Sequence, residues 1–173
     1  MSTRSDRSTT RPSTMTSRRS SVQGACLFVG LVFLIVGIAG FIPGFTTQYS
    51  SLGMAGHESD AMLLGLFQVS MLHNAVHLLF GVVGILAART WSASRAYLIG
   101  GGVVYLALWI YGLAIDKTSA VNVVPLNRAD DWLHLLLGVG MLLLGLVLGR
   151  RRKPVAAGHD AEYGDWRRDS ASS

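Results

Sequence analysis

Charge is scarce in this chain, and what there is lies in clumps. Asp, Glu, Lys and Arg make up 14% of the residues, against roughly 25% in a typical soluble domain. None of the four occurs between Arg19 and Glu58, Asp60 and Arg89, Arg95 and Asp116, or Asp131 and Arg150. Each gap holds an apolar block long enough for the roughly 20 residues that cross a bilayer as a helix. Soluble helices need a polar outer face, so four such gaps exclude an ordinary water-soluble domain.

Cysteine is nearly absent as well. Cys26 stands alone, so no internal disulfide can form, and its apolar surroundings argue against a reactive thiol. Catalytic signatures are missing. There is no phosphate-cradling glycine loop, no nucleophile elbow and no His-Glu-x-x-His. The run Gly100-Gly101-Gly102 opens an apolar block, where helix packing accounts for it better than phosphate binding. The net charge of +5 sits in the tails and one short loop, so it reads as membrane orientation and not as a nucleic-acid surface.

What remains reads as an all-α integral membrane four-helix bundle of one domain. Residues 1–22 form a basic, Ser- and Thr-rich tail expected to be disordered and cytoplasmic. The transmembrane domain, 23–150, holds spans at about 24–42, 64–88, 96–115 and 132–149. The mixed-charge tail 151–173 follows and is expected to be cytoplasmic and disordered. The first apolar run exceeds the core of a usual signal peptide, and no clear small-x-small cleavage site follows it. Arg18-Arg19 lacks the context of a twin-arginine signal. The first span therefore reads as uncleaved. Pro43-Gly44 ends it. The second span lies within 61–88, with a start as late as Leu66. Arg89 and Arg95 bracket a short loop, 90–94.

Orientation follows from the basic residues. The N-terminal tail, the loop near residue 90 and the C-terminal tail hold thirteen of the fifteen Lys and Arg side chains, and the opposite loops only Lys117 and Arg128. Both termini are thus expected in the cytoplasm. Tyr49, Trp91, Tyr111 and Trp132 fall near the expected interfaces, where amphipathic rings are favoured.

Spans two and four share a pattern. Asn74-Ala75-Val76-His77-Leu78-Leu79-Phe80-Gly81-Val82 lines up with Asp131-Trp132-Leu133-His134-Leu135-Leu136-Leu137-Gly138-Val139. Two helical hairpins in parallel relation would follow. Two registers compete. The motif pairs His77 with His134, whereas distance from the closing arginine (Arg89 or Arg150) puts His73 level with His134.

His73, Asn74, His77 and His134 form an intramembrane polar cluster. His73 and His77 share a helix face, which Gly81, Gly84 and Ala88 continue. His134, Gly138, Gly145 and Gly149 lie on one stripe of the fourth span. Small residues so spaced let helices approach closely, so spans two and four are expected to pack through these stripes. Gly30, Gly37, Gly100, Gly101 and Gly112 could serve the same end in the other two spans. The histidines read in two ways. They could hydrogen-bond across helices and fix the bundle. They could instead act as a proton relay, a metal site or axial haem ligands, with His134 completing a set begun by His73 and His77. No catalytic residue is expected and no cofactor is predicted, haem and metal being left open. Glu58, Asp60, Asp116, Asp130 and Asp131 read as solvated loop acids. Asp130 and Asp131 also suit the N-terminus of the fourth helix. His57 and His159 lie outside the spans.

Leu64-Gly65-Leu66-Phe67-Gln68, Leu72-His73-Asn74 and His77-Leu78-Leu79-Phe80-Gly81 together resemble the first signature of a bacterial four-span membrane family, the domain of unknown function DUF4383. Pro125-Leu126-Asn127 and Asp130-Asp131-Trp132-Leu133-His134 resemble its second. The resemblance covers roughly residues 24–149. It implies four spans in a bacterial plasma membrane, and brings no activity, substrate or cofactor. Three functions are then compatible with the residues. The first is a structural or interaction component of the plasma membrane, as a homo-oligomer or with another membrane protein. The second is a histidine-based redox, metal or haem protein. The third is a small proton-coupled transporter or channel.

Overall fold

A computed structural model describes residues 19–150. The expected tails, and His159, lie outside them, except for residues 19–22, the last two of which already belong to the first helix. Among the described residues there are four α-helices, α1 (Ser21–Ala39), α2 (Met71–Ala87), α3 (Trp91–Ala114) and α4 (Arg128–Val147). Three of them, α1, α3 and α4, are long and apolar enough to cross a membrane. The apolar α2 has 17 residues, about 26 Å at 1.5 Å per residue.

Each helix start is fixed by a side chain that takes up otherwise unpaired backbone groups. The Ser20 N–H donates to Gln23 Oε1 at 3.0 Å. Ser70 Oγ accepts from the His73 N–H at 3.1 Å, Thr90 Oγ1 from Ala93 at 3.2 Å and Asn127 Oδ1 from Asp130 at 3.0 Å.

These starts correct three expected boundaries. The second helix does not begin at residue 64. Met62–Leu63 and Phe67–Gln68 are short strands, β2 and β3, which join β1 (Thr46–Thr47) in an antiparallel sheet of order β1-β2-β3. Leu64 and Gly65 between them have φ of 54° and 69°, a left-handed conformation that no α-helix accepts. A short apolar run reads equally as strand or helix, which is why the sequence pattern alone extended the span too far. The third helix begins at Trp91, so the loop expected at 90–94 is mostly helix. Ser94 Oγ donates to the Thr90 carbonyl at 2.7 Å and to that of Ala87 at 3.1 Å, folding these residues into a first turn. The fourth helix takes in Arg128 to Asp131, because Asn127 and Asp130 cap each other reciprocally.

The helices pack as two hairpins, α1 on α2 and α3 on α4. In the first, a Cβ on Gly81 would lie 2.6 Å from the Leu34 nitrogen, and one on Gly30 2.8 Å from the Ile85 nitrogen. In the second, a Cβ on Gly102 would lie 2.9 Å from the Leu142 nitrogen, and one on Gly138 3.0 Å from the Leu106 nitrogen. Backbone meets backbone at these points, as small residues allow. The glycine stripes of α2 and α4 are therefore spent inside their own hairpins and not on each other. Hydrogen bonds reinforce the pairing. Gln23 Nε2 donates to the carbonyls of Ala88 and Arg89 at 3.2 and 3.0 Å; between the hairpins, the Tyr97 hydroxyl of α3 donates to the Phe80 carbonyl of α2 at 3.0 Å.

One end of the bundle is capped. The Gly56 N–H donates to the Val123 carbonyl at 2.8 Å, joining the long α1–α2 connection to the α3–α4 loop. Asp130 Oδ2 accepts from the Gln68 N–H at 3.1 Å, and Asn127 Nδ2 donates to the Leu66 carbonyl at 2.8 Å. Lys117 Nζ pairs with Asp131 Oδ1 at 2.8 Å and also donates to the Gly112 carbonyl at 2.6 Å.

Candidate functional site

Beneath this cap, α2 and α4 bring the polar residues of the helices together. His73 and His77 stand one turn apart on α2, and His134 sits in the second turn of α4. All three are buried, as is Asn74. His73 Nε2 and His77 Nε2 are 3.0 Å apart and share a hydrogen bond. The His134 ring stacks on His73 at a centroid distance of 6.4 Å. Two aromatic residues floor the cluster. Phe33 and Tyr105 stack on each other at 5.3 Å. Phe33 meets His77 edge-on at 5.5 Å, and Tyr105 lies 5.2 Å from His134.

The hydrogen bonding stops short of what burial demands. Nδ1 of His73, of His77 and of His134, and Nδ2 of Asn74, are buried without a partner, although the Pro125 carbonyl lies beside His73. Each such nitrogen costs about 1–3 kcal/mol. The one bond the histidines make to each other stays inside α2. None of the three makes a hydrogen bond to another helix, so in this arrangement they do not act as hydrogen-bonded interhelical glue. Nor is a metal-binding set formed: among the described residues no group of three or more His, Cys, Asp or Glu side chains could hold an ion.

A constant offset in sequence relates the two halves of the site. It pairs the caps Ser70 and Asn127, then His73 with Asp130, Asn74 with Asp131, His77 with His134 and Gly81 with Gly138. The packing follows this motif register, whereas the stacking of His73 on His134 follows the depth register. The other two helices repeat too. Gly30-Leu31-Val32-Phe33-Leu34 on α1 matches Gly102-Val103-Val104-Tyr105-Leu106 on α3. Gly30 and Gly102 each meet the partner helix backbone, and Phe33 and Tyr105 each meet a histidine. Sequence reasoning missed this second match and with it the aromatic floor. The signal was present, but the longer connection after α1, which holds the sheet, gives these helices a different offset from α2 and α4.

The remaining residues fall elsewhere. Gly84 packs on the Gly30 backbone and the Tyr97 ring, and Gly145 on Ile99. His57 and Glu58 lie in the α1–α2 connection, away from the cluster. Asp116 is exposed, and its carboxylate accepts from the Thr118 N–H and hydroxyl. Those bonds hold it below the usual carboxylate range.

No curated protein and no solved structure matches the chain. The model of a family described as a domain of unknown function, DUF4383, matches residues 23–147 and so takes in all four helices and the histidine cluster. On that match the chain belongs to the DUF4383 family.

Proposed function

We propose that this chain is a four-pass protein of the bacterial plasma membrane with both termini cytoplasmic, and that His73, His77 and His134 form a binding site inside its bundle. Among the described residues Arg19, Arg89, Arg95 and Arg150 lie at the end of the bundle away from the sheet, which supports the orientation. Large apolar side chains such as Phe28, Ile35, Leu79 and Leu136 are exposed around the helices, as lipid contact requires. The capped end then faces outward and covers the short helix α2.

One observation carries the binding reading: the buried Nδ1 atoms of His77 and His134 and Nδ2 of Asn74 have no partner, while glycine–backbone contacts already hold each hairpin together. A scaffold gains nothing from buried polar groups left unpaired. A site that awaits a polar group needs them. Thermal unfolding of the full chain in detergent tests this with His77→Leu. The binding reading expects a midpoint equal to that of the unaltered protein or higher. A loss comparable to that of a core truncation, about 2–5 kcal/mol, would return the histidines to a structural role.

A further inference from the structure

Lys117 and Arg128 are the two basic residues at the capped end of the bundle, and both border one crevice. It lies between α3 and α4, has a volume of about 520 Å³, and is flanked by Trp109 of α3 and Trp132 of α4. None of the three buried histidines borders it.

The groups around the crevice are layered. Lys117 follows the end of α3, and Arg128 is the first residue of α4, so the cations mark the rim. Trp132 stands one turn into α4, and Trp109 lies more than a turn before the end of α3. Both indoles are therefore about 6–8 Å deeper than the helix ends, at 1.5 Å per residue. A bilayer boundary has this order: indoles settle at head-group level, and long basic side chains reach past them to the phosphates. Trp132 and Leu113 are 67% and 63% exposed, which leaves the crevice open to lipid from the side.

Its polar groups select for charge. Asp131 is the one acid on the crevice, and Lys117 neutralises it through the 2.8 Å ion pair. The Gly112 carbonyl takes a second Lys117 N–H at 2.6 Å. An ammonium has three, so one remains. Among the described residues the Arg128 guanidinium and the indole N–H groups of Trp109 and Trp132 make no ion pair or hydrogen bond. The crevice thus carries one uncompensated positive charge among unused N–H donors. A phosphodiester brings one negative charge and oxygens that only accept, and a guanidinium meets it with two parallel bonds. A head group with its own ammonium would set that charge against Arg128 and Lys117.

We infer that this crevice holds the phosphate of an anionic phospholipid whose head group carries no ammonium. Arg128 and the third Lys117 N–H bind the phosphate oxygens, the two indoles flank the glycerol backbone, and the acyl chains run down past Leu113 and Leu136. The site lies apart from the histidines, so neither the binding reading above nor its failure touches it.

Photolabelling of the full chain in phosphatidylcholine nanodiscs tests it. The probe is a trace of phosphatidylglycerol with a diazirine near its glycerol backbone, and adducts are mapped by mass spectrometry. Adducts are expected on Trp109, Leu113 and Trp132. Excess unlabelled phosphatidylglycerol should lower them at least tenfold, and inorganic phosphate in the buffer should not. Arg128→Gln should lower them about fivefold, the share of one basic side chain at a membrane surface. The guanidinium makes no bond within the described chain, so its loss leaves the fold intact. Arg89→Gln makes the same change of charge at the other end of the bundle and should leave these adducts unaltered. Labelling no denser here than on Phe28 and Ile35, equal labelling by a phosphatidylcholine probe, or indifference to Arg128→Gln would overturn the inference. Removal of the adducts by inorganic phosphate would make this a site for free anions and overturn the lipid as its occupant.

Discussion

Gly81 has no room for a methyl group. A Cβ there would meet the backbone of Leu34 and the carbonyl of Gly30, neither of which can swing aside. Gly81→Ala must push α1 away from α2, at a cost of about 1–3 kcal/mol, as overpacking does. Gly100, also helical, meets nothing within 4 Å. Gly100→Ala should be neutral, or stabilise by about 0.5–1 kcal/mol through the better helix propensity of alanine. Unfolding midpoints of the two variants in detergent, measured side by side, separate a packing glycine from a free one. The spacing of small residues made Gly81, Gly84, Gly138 and Gly145 legible in the sequence as helix-packing positions. Their partners were not legible, since a stripe does not say which neighbour it faces. The histidines were legible as buried polar residues. Their failure to bond across helices depends on ring geometry that spacing does not encode.

At the scale of elements, the caps decide more than the apolar runs. The run from Ala61 to Leu66 continues smoothly into α2 by hydropathy, yet the turn at Leu64-Gly65 and the cap at Ser70 make it sheet. Only three tight backbone positions separate the two readings, too few for composition to register. The α3–α4 loop depends on its polar bonds in the same way. Asp131 is nearly buried and Lys117 about a third exposed. Asp131→Ala should cost about 1–2 kcal/mol, between the values for surface and buried pairs. Adding Lys117→Met should recover most of that loss, because the stranded ammonium is then gone. Chemical denaturation of the two variants reads the difference. The turn at Asp116 should respond to acid. Its carboxylate is favoured in the folded chain, so the stabilisation is complete above the ordinary carboxylate range and fades as pH falls through the lowered value. The protection factor of the Thr118 amide, whose N–H donates to that carboxylate, should fall over that acid interval and stay constant near neutrality.

The whole molecule is two hairpins, and its distribution of charge was the most readable feature of the sequence. Gaps free of charge located four apolar segments, and the structure forms a helix in each. The proposed orientation makes a direct prediction. In a Cys26→Ala background, Met54→Cys lies in the connection beside the sheet and is 72% exposed there. A maleimide that cannot cross membranes should label it in intact cells. A cysteine placed at Ser173 should react only after the cells are broken, and the opposite pattern would reverse the topology. The duplication was half legible. The His-x-x-x-Gly motif of α2 and α4 stood out, whereas the match between α1 and α3 was masked by the unequal connections that follow them.

That duplication bears on ancestry. His77 touches Phe33 of its own half, but His134 stacks on His73 of the other half. A lone hairpin of this design would leave its imidazoles open on one side. If both halves descend from one such unit, that ancestor worked as two identical chains facing each other. The change that set Asp130, now bonded to the sheet, against His73 then marks where the two descendants ceased to be interchangeable.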